Sequence, residues 1–182
     1  MRADAARNRE AVLRAAGQLF DAADDPEQVS MDDIAAAAGV GKGTLFRRFG
    51  DRAGLVRDLY EERAQRLHAF LEDDRDRPAA GTVARLMGAL LRFKVENRTL
   101  ARALENMGGA SPYTNSSYDR LHSRLEDLVV EARGPEAAGF LAHALLAATR
   151  SDLVEHLGDW PEERLQEGLS ALVRSVLGPE SS

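Results

Sequence analysis

Apolar side chains recur along this chain at the three- and four-residue intervals of an α-helix, beginning with Val12, Ala16, Leu19 and Phe20. That stripe predicts a helix over about residues 5–23, broken by Asp24-Asp25-Pro26-Glu27. Ser30, with Asp33 three positions on, is close to a capping box and opens a second helix whose inward positions are Ile34 and Ala38. Gly39 suits the left-handed backbone that ends a helix in a tight turn. A short third helix follows over about 41–48, with Leu45 inward and Phe49 closing it. Gly50-Asp51 separates it from a long fourth helix, about 52–73, with Val56, Tyr60, Leu67 and Leu71 on one stripe.

Further stripes lie at Val83, Leu86, Met87, Leu90 and Leu91, then at Leu100, Ala103, Leu104 and Met107. After a loop at Gly108-Gly109-Ala110-Ser111-Pro112 come Tyr118, Leu121, Leu125, Leu128 and Val129, ended by Gly134-Pro135. Residues 136–157 read as one helix, apolar nearly all round from Ala137 to Thr149 except at His143, so both sides must be covered. Leu165, Leu169, Leu172, Val173 and Val176 mark a last helix after Trp160-Pro161. No strand pattern emerges. The fold class is therefore all-α with about nine helices. A three-helix N-terminal domain over 1–50 is joined by a long helix to a C-terminal helical bundle within 51–182.

Composition narrows the class. The chain has 182 residues, 44% apolar and 30% charged, enough to bury a core and remain soluble. It has no Cys, so neither disulfides nor thiolate metal sites are available. Its four His, at 68, 122, 143 and 156, show no paired spacing on a helix, so no metal and no cofactor is expected. No apolar run spans a bilayer and the N-terminus lacks a signal core, which together point to a cytoplasmic protein away from membranes. Adjacent carboxylate pairs such as Glu61-Glu62 point apart on a helix, and no catalytic constellation is evident. The net charge is −6, yet residues 40–57 hold Lys42, Arg47, Arg48, Arg52 and Arg57 against Asp51 alone. An acidic body with one cationic patch admits DNA through that patch.

The patch sits on a helix-turn-helix pattern. Counting from Met31, the small residue expected fifth is Ala35, the Gly expected ninth is Gly39, and the apolar residue expected fifteenth is Leu45. The small side chain allows a close helix crossing, the Gly makes the turn, and the apolar residue seals the angle. Such a motif puts its second helix into a DNA major groove. Arg47 could read guanine through paired donors, and Arg48 would hold phosphate.

These residues, with Val12, Ala15-Ala16, Leu19-Phe20, Val40-Gly41-Lys42-Gly43-Thr44-Leu45-Phe46, Phe49 and Leu55, resemble the N-terminal domain of the TetR family of bacterial repressors. The resemblance covers about residues 8–57. It implies that Thr44 touches a phosphate or base edge, that Lys42 lies near the backbone, and that Gly43 permits close approach. Ser30 and the cation at the start of helix four, here Arg52, join the DNA-contacting candidates. Where the family commonly has Tyr, this chain has Phe46, so a phosphate hydrogen bond is replaced by an apolar contact, unless Phe46 faces the core. Gly41 caps more weakly than the usual Ser or Thr. The Gly usual between the first two helices is missing.

The resemblance also implies a C-terminal domain that senses a ligand and dimerises. The apolar helix at 137–149 and the last helix could pair with those of a second copy in a four-helix interface, or the former could be monomer core. Met87, Phe93, Met107, Tyr113, Tyr118, His122, Phe140 and His143 are candidates to line a ligand pocket. Arg150 could bind an anionic ligand or form an intersubunit ion pair. The expected function is a homodimeric repressor, not an enzyme, released from double-stranded operator DNA by a small-molecule effector. Alternatives are a DNA-binding regulator answering to a protein partner, or a helical enzyme.

Overall fold

The computed structural model describes residues 2–72, 78–106 and 116–178, and these form ten α-helices and one 3-10 turn. The helices are α1 (Arg2–Ala22), α2 (Met31–Ala38), α3 (Lys42–Phe49), α4 (Arg52–Glu72), α5 (Ala79–Glu96), α6 (Arg98–Asn106), α7 (Ser116–Arg133), α8 (Ala138–Ala147), α9 (Ser151–His156) and α10 (Glu162–Leu177), with the 3-10 turn at Pro26–Gln28. The all-α architecture with an N-terminal helix-turn-helix is present. The single helix expected over 136–157 is instead two, α8 and α9. The break has a local cause: the buried Thr149 turns its hydroxyl onto the Leu146 carbonyl at 3.1 Å, and Arg150 is extended (φ −64°, ψ 144°). Among the described residues no helix is long and apolar enough to cross a membrane.

The described residues fall into two compact units, divided at Arg66–Leu67 within α4 and again at Glu96–Asn97. The first unit contains α1, α2, α3, the start of α4, and α6. Its core joins Val12, Leu13, Ala16 and Phe20 of α1 to Ile34, Leu45, Phe49, Leu55, Val56 and Leu59, with Leu100 and Ala103 from α6. Arg63 of α4 ties three segments together. Its Nη1 donates to Asp21 Oδ1 at 2.8 Å and to Asn97 Oδ1 at 2.6 Å, and its Nη2 donates to Asp21 Oδ2 at 2.9 Å. Gly17 makes room for this guanidinium, since a Cβ there would lie 2.8 Å from Nη2. Thr99 Oγ1 donates to the Ala23 carbonyl at 3.0 Å, holding the start of α6 to the end of α1.

The second unit packs α5, α7, α8, α9 and α10 around Val83, Leu86, Met87, Leu90, Leu125, Val129, Leu145, Leu146, Leu169 and Val173. Each of these positions falls on an apolar stripe, or in the apolar run at 137–149, legible in the sequence.

Arg63→Ala removes the donor of the buried Asn97 oxygen and the partner of Asp21. The expected cost is about 1–3 kcal/mol, read as a lowered urea midpoint. An unchanged midpoint would mean the three segments are held by the core alone.

Candidate nucleic-acid interface

The geometry of α3 begins at the turn before it. Ser30 and Asp33 form a full capping box at the start of α2: Asp33 N donates to Ser30 Oγ at 3.1 Å and Ser30 N to Asp33 Oδ2 at 3.2 Å. The Ser30 hydroxyl beside it, with the Ser30 amide, holds the Asp33 carboxyl below its usual range. Gly39 ends α2 at φ 65°, a left-handed conformation that disfavours any side chain with a Cβ. The chain then reverses into α3, whose Leu45 and Phe49 enter the core at 0% and 8% exposure.

With those two buried, the opposite face of α3 is turned outward. Lys42, Gly43, Phe46, Arg47 and Arg48 are exposed and Thr44 is half-buried. Phe46 is 40% exposed, so it lies outside the core. An added Cβ at Gly43 would meet no atom within 4 Å, so packing gives no reason for glycine there. Asn8 and Arg9 of α1 face Thr44, Arg47 and Arg48 across a groove of about 420 Å³. Sequence reasoning missed Asn8 and Arg9, whose signal was only an α1 register that places them one turn before Val12.

The cations differ in how far they are committed. Arg47 and Arg48 make no hydrogen bond or ion pair among the described residues. Lys42 pairs with Asp32 of α2, Nζ lying 2.6 Å from Oδ1 and 2.9 Å from Oδ2. Arg52 turns inward. Its Nη2 donates to the Pro26 carbonyl at 2.6 Å and its Nε to the Val29 carbonyl at 3.3 Å, with Glu27 at 3.9 Å. Arg52 thus fastens the 3-10 turn to the start of α4, and the Ser30 hydroxyl is likewise engaged within the protein.

The corner between α3 and α4 depends on two residues without a sequence flag. Asp51 Oδ1 accepts from Gly54 N at 2.7 Å and so caps α4. An added Cβ at Gly54 would overlap the Phe49 carbonyl oxygen, a backbone atom that cannot swing away.

The candidate pocket residues are not drawn into one cluster. Met87 is fully buried in the core of the second unit and Phe93 is also buried, while Phe140 is 75% exposed. Tyr118, His122 and His143 come together: Tyr118 Oη and His143 Nδ1 are 2.6 Å apart, and the two imidazole centroids lie 3.8 Å apart. His122 Nε2 donates to the Gly139 carbonyl at 3.1 Å. Arg150 grips Asp152 through Nε and Nη2 at 2.8–3.2 Å, and this contact holds the Asp152 carboxyl below its usual range. Met107 and Tyr113 lie outside the described residues. Among the described residues no group of three or more His, Cys, Asp or Glu could hold a metal.

Residues 12–59, the segment that builds this outward face, match the family described as bacterial regulatory proteins, tetR family. Over residues 12–59 the chain carries the N-terminal domain of the TetR family. An HTH-type transcriptional regulator of Staphylococcus aureus strain bovine RF122 is 35% identical over 58% of this chain and 57% of its own length. A regulator of the same description from strain USA300 is 30% identical over 58% and 57%. The match thus spans little more than half of these relatives. Among solved structures, a TetR-like transcriptional regulator from Rhodococcus sp. RHA1 shares 21% identity at a TM-score of 0.68, covering 94% of this chain and 97% of its own. The TetR-like regulator LfrR from Mycobacterium smegmatis, solved in complex with proflavine, shares 20% at 0.62, covering 97% of each chain. Identities this low speak to the fold.

Gly54→Ala forces the start of α4 away from Phe49. The expected result is a loss of about 1–3 kcal/mol in thermal or urea unfolding. A variant as stable as the parent would show that the corner tolerates a Cβ.

Proposed function

We propose that this chain is a homodimeric, DNA-binding transcriptional repressor of the TetR family, released from its operator by a small molecule. One observation carries the DNA-binding reading: a short helix anchored through Leu45 and Phe49 presents Thr44, Phe46, Arg47 and Arg48 outward, with both arginines uncommitted. Arg47 reads a base edge, Arg48 holds phosphate, and Phe46 offers an apolar contact such as a thymine methyl. The absence of a Cβ at Gly43 lets the DNA backbone approach.

Dimerisation is supported by the outer face of the second unit. Phe140 stands out from α8, a helix in which His143 is the only polar side chain, and exposed Gly168 and Ala171 on α10 would let a second copy approach closely. Two copies present two reading helices to two half-sites, about one DNA turn (~34 Å) apart. For an effector, the support is the Thr82 hydroxyl, buried in the second unit without a hydrogen-bond partner among the described residues, and the proflavine held by the Mycobacterium smegmatis neighbour. A ligand there would act on the reading heads through α4, which runs unbroken from Arg52 to Glu72.

Two experiments test this reading, the first using a duplex selected from a random-sequence pool on the full chain. Arg47→Ala should cost about 1–3 kcal/mol and relax the sequence preference at one position, whereas Arg48→Ala should weaken all sequences alike and lower the salt slope by about 1. If both variants bind as the parent does, α3 is not the reading helix. Phe140→Asp should convert dimer to monomer in sedimentation, and an unshifted dimer would move the interface away from α8.

A further inference from the structure

We infer that Asp32 attenuates DNA binding by acting as a built-in competitor for Lys42, an inference that rests on the DNA-binding reading of α3. Lys42 is the first residue of that helix, where the positive end of the helix dipole disfavours a cation. Its ammonium lies on both oxygens of Asp32, at 2.6 and 2.9 Å, across the helix-turn-helix turn. Arg47 and Arg48 on the same helix have no such partner among the described residues. The pair is therefore specific to one end of the reading surface.

Stability does not account for it. The Lys42 and Asp32 side chains are 58% and 64% exposed, and exposed ion pairs contribute little to folding. Of the two services an acid could render to α2, capping is already performed by Asp33 with Ser30, and the favourable charge in the first turn is shared with Asp33. What Asp32 does is occupy the cation that lies where a phosphate would come.

The consequence follows from counterion bookkeeping. A free lysine that meets a phosphate releases close to one condensed cation from the DNA, and binding gains steeply at low salt. When the phosphate must first displace a carboxylate, that carboxylate is left beside the polyanion and takes up a cation in turn. Lys42 then contributes almost nothing to the salt slope, and the protein leans on Arg47 and Arg48.

The test is fluorescence anisotropy on the selected duplex across a salt series, with the parent, D32N, D32S, K42A and D32N/K42A. D32N and D32S should bind more tightly at low salt, on the order of fivefold, with a log–log salt slope steeper by about 0.9. In the K42A background the gain should largely disappear, and thermal midpoints should stay within about 4 °C of the parent's, the most that loss of one first-turn charge would cost. The inference is overturned by an unchanged slope, by a gain that persists in full without Lys42 (simple repulsion by Asp32), or by a loss of affinity, which would make Asp32 a DNA contact in its own right. Failure of the underlying reading looks different: the parent itself would bind the selected duplex no better than a scrambled one, and the inference would fall with it.

Discussion

An eight-residue helix with two side chains sunk into a core has no freedom to rotate about its axis. Leu45 and Phe49, one turn apart, both face α1 and α2, and the 100° step of the helix then dictates where every other residue of α3 points. Phe46, Arg47 and Arg48 are outward because Leu45 and Phe49 are inward. The same anchoring explains why Gly39 and Gly54 matter on either side. Gly39 lets α2 stop and reverse so that α3 can cross it, and Gly54 lets α4 start directly beneath the Phe49 carbonyl. Each constraint acts on the orientation of one helix face, and the chemistry of that face is a consequence.

The electrostatics of the face are narrower than its composition suggests. Five cations against one anion between residues 40 and 57 would be a strong patch if all five were available. Arg52 is held by two carbonyls of the 3-10 turn and Lys42 by Asp32, which leaves Arg47 and Arg48 as the uncommitted charges on α3. Arg9, across the groove, is itself paired with Asp58 at 3.1 Å. Among the described residues the free charge of this patch is thus Arg47 and Arg48 on one turn of α3 and Arg57 on α4, on a chain of net charge −6. Affinity under such conditions depends on a few well-placed contacts more than on a general attraction, and this favours discrimination between sequences.

Local signals were legible wherever one residue type has one mechanical use. The apolar stripes located the helices, the Ser30–Asp33 spacing located the cap of α2, and Gly39 located the turn, because periodicity and capping are properties of short segments. What escaped notice depends on partners distant in sequence. Arg52 looks like any exposed cation until the Pro26 and Val29 carbonyls are beside it. Asp51 reads as half of a plain separator and Gly54 as one more position of the fourth helix, since the need for a missing Cβ arises only when Phe49 arrives. His122 and His143, 21 positions apart, stack only because α7 and α8 pack together. The division of 136–157 into α8 and α9 follows from a Thr149 hydroxyl that satisfies a carbonyl instead of continuing the helix, a choice that an apolar run conceals.

The grouping of α6 with α1, α2 and α3 bears on how these helices are held. The chain passes from one unit to the other twice among its described residues, once inside α4 after Arg66 and once between Glu96 and Asn97. Arg63 lies three residues before the first passage, and Asn97, which it binds at 2.6 Å, stands at the second. Asp21, held by the same guanidinium, is the penultimate residue of α1. Both passages among the described residues therefore meet at one side chain. A displacement of α4 or of Asn97 would reach Arg63 and be passed to α1, whose Val12, Leu13, Ala16 and Phe20 form the core against which α3 is set. Because that core is close-packed, it transmits such a displacement rather than absorbing it. Within the first unit, α1, α4 and the residue preceding α6 are thus joined at one guanidinium, and the seat of α3 depends on all three.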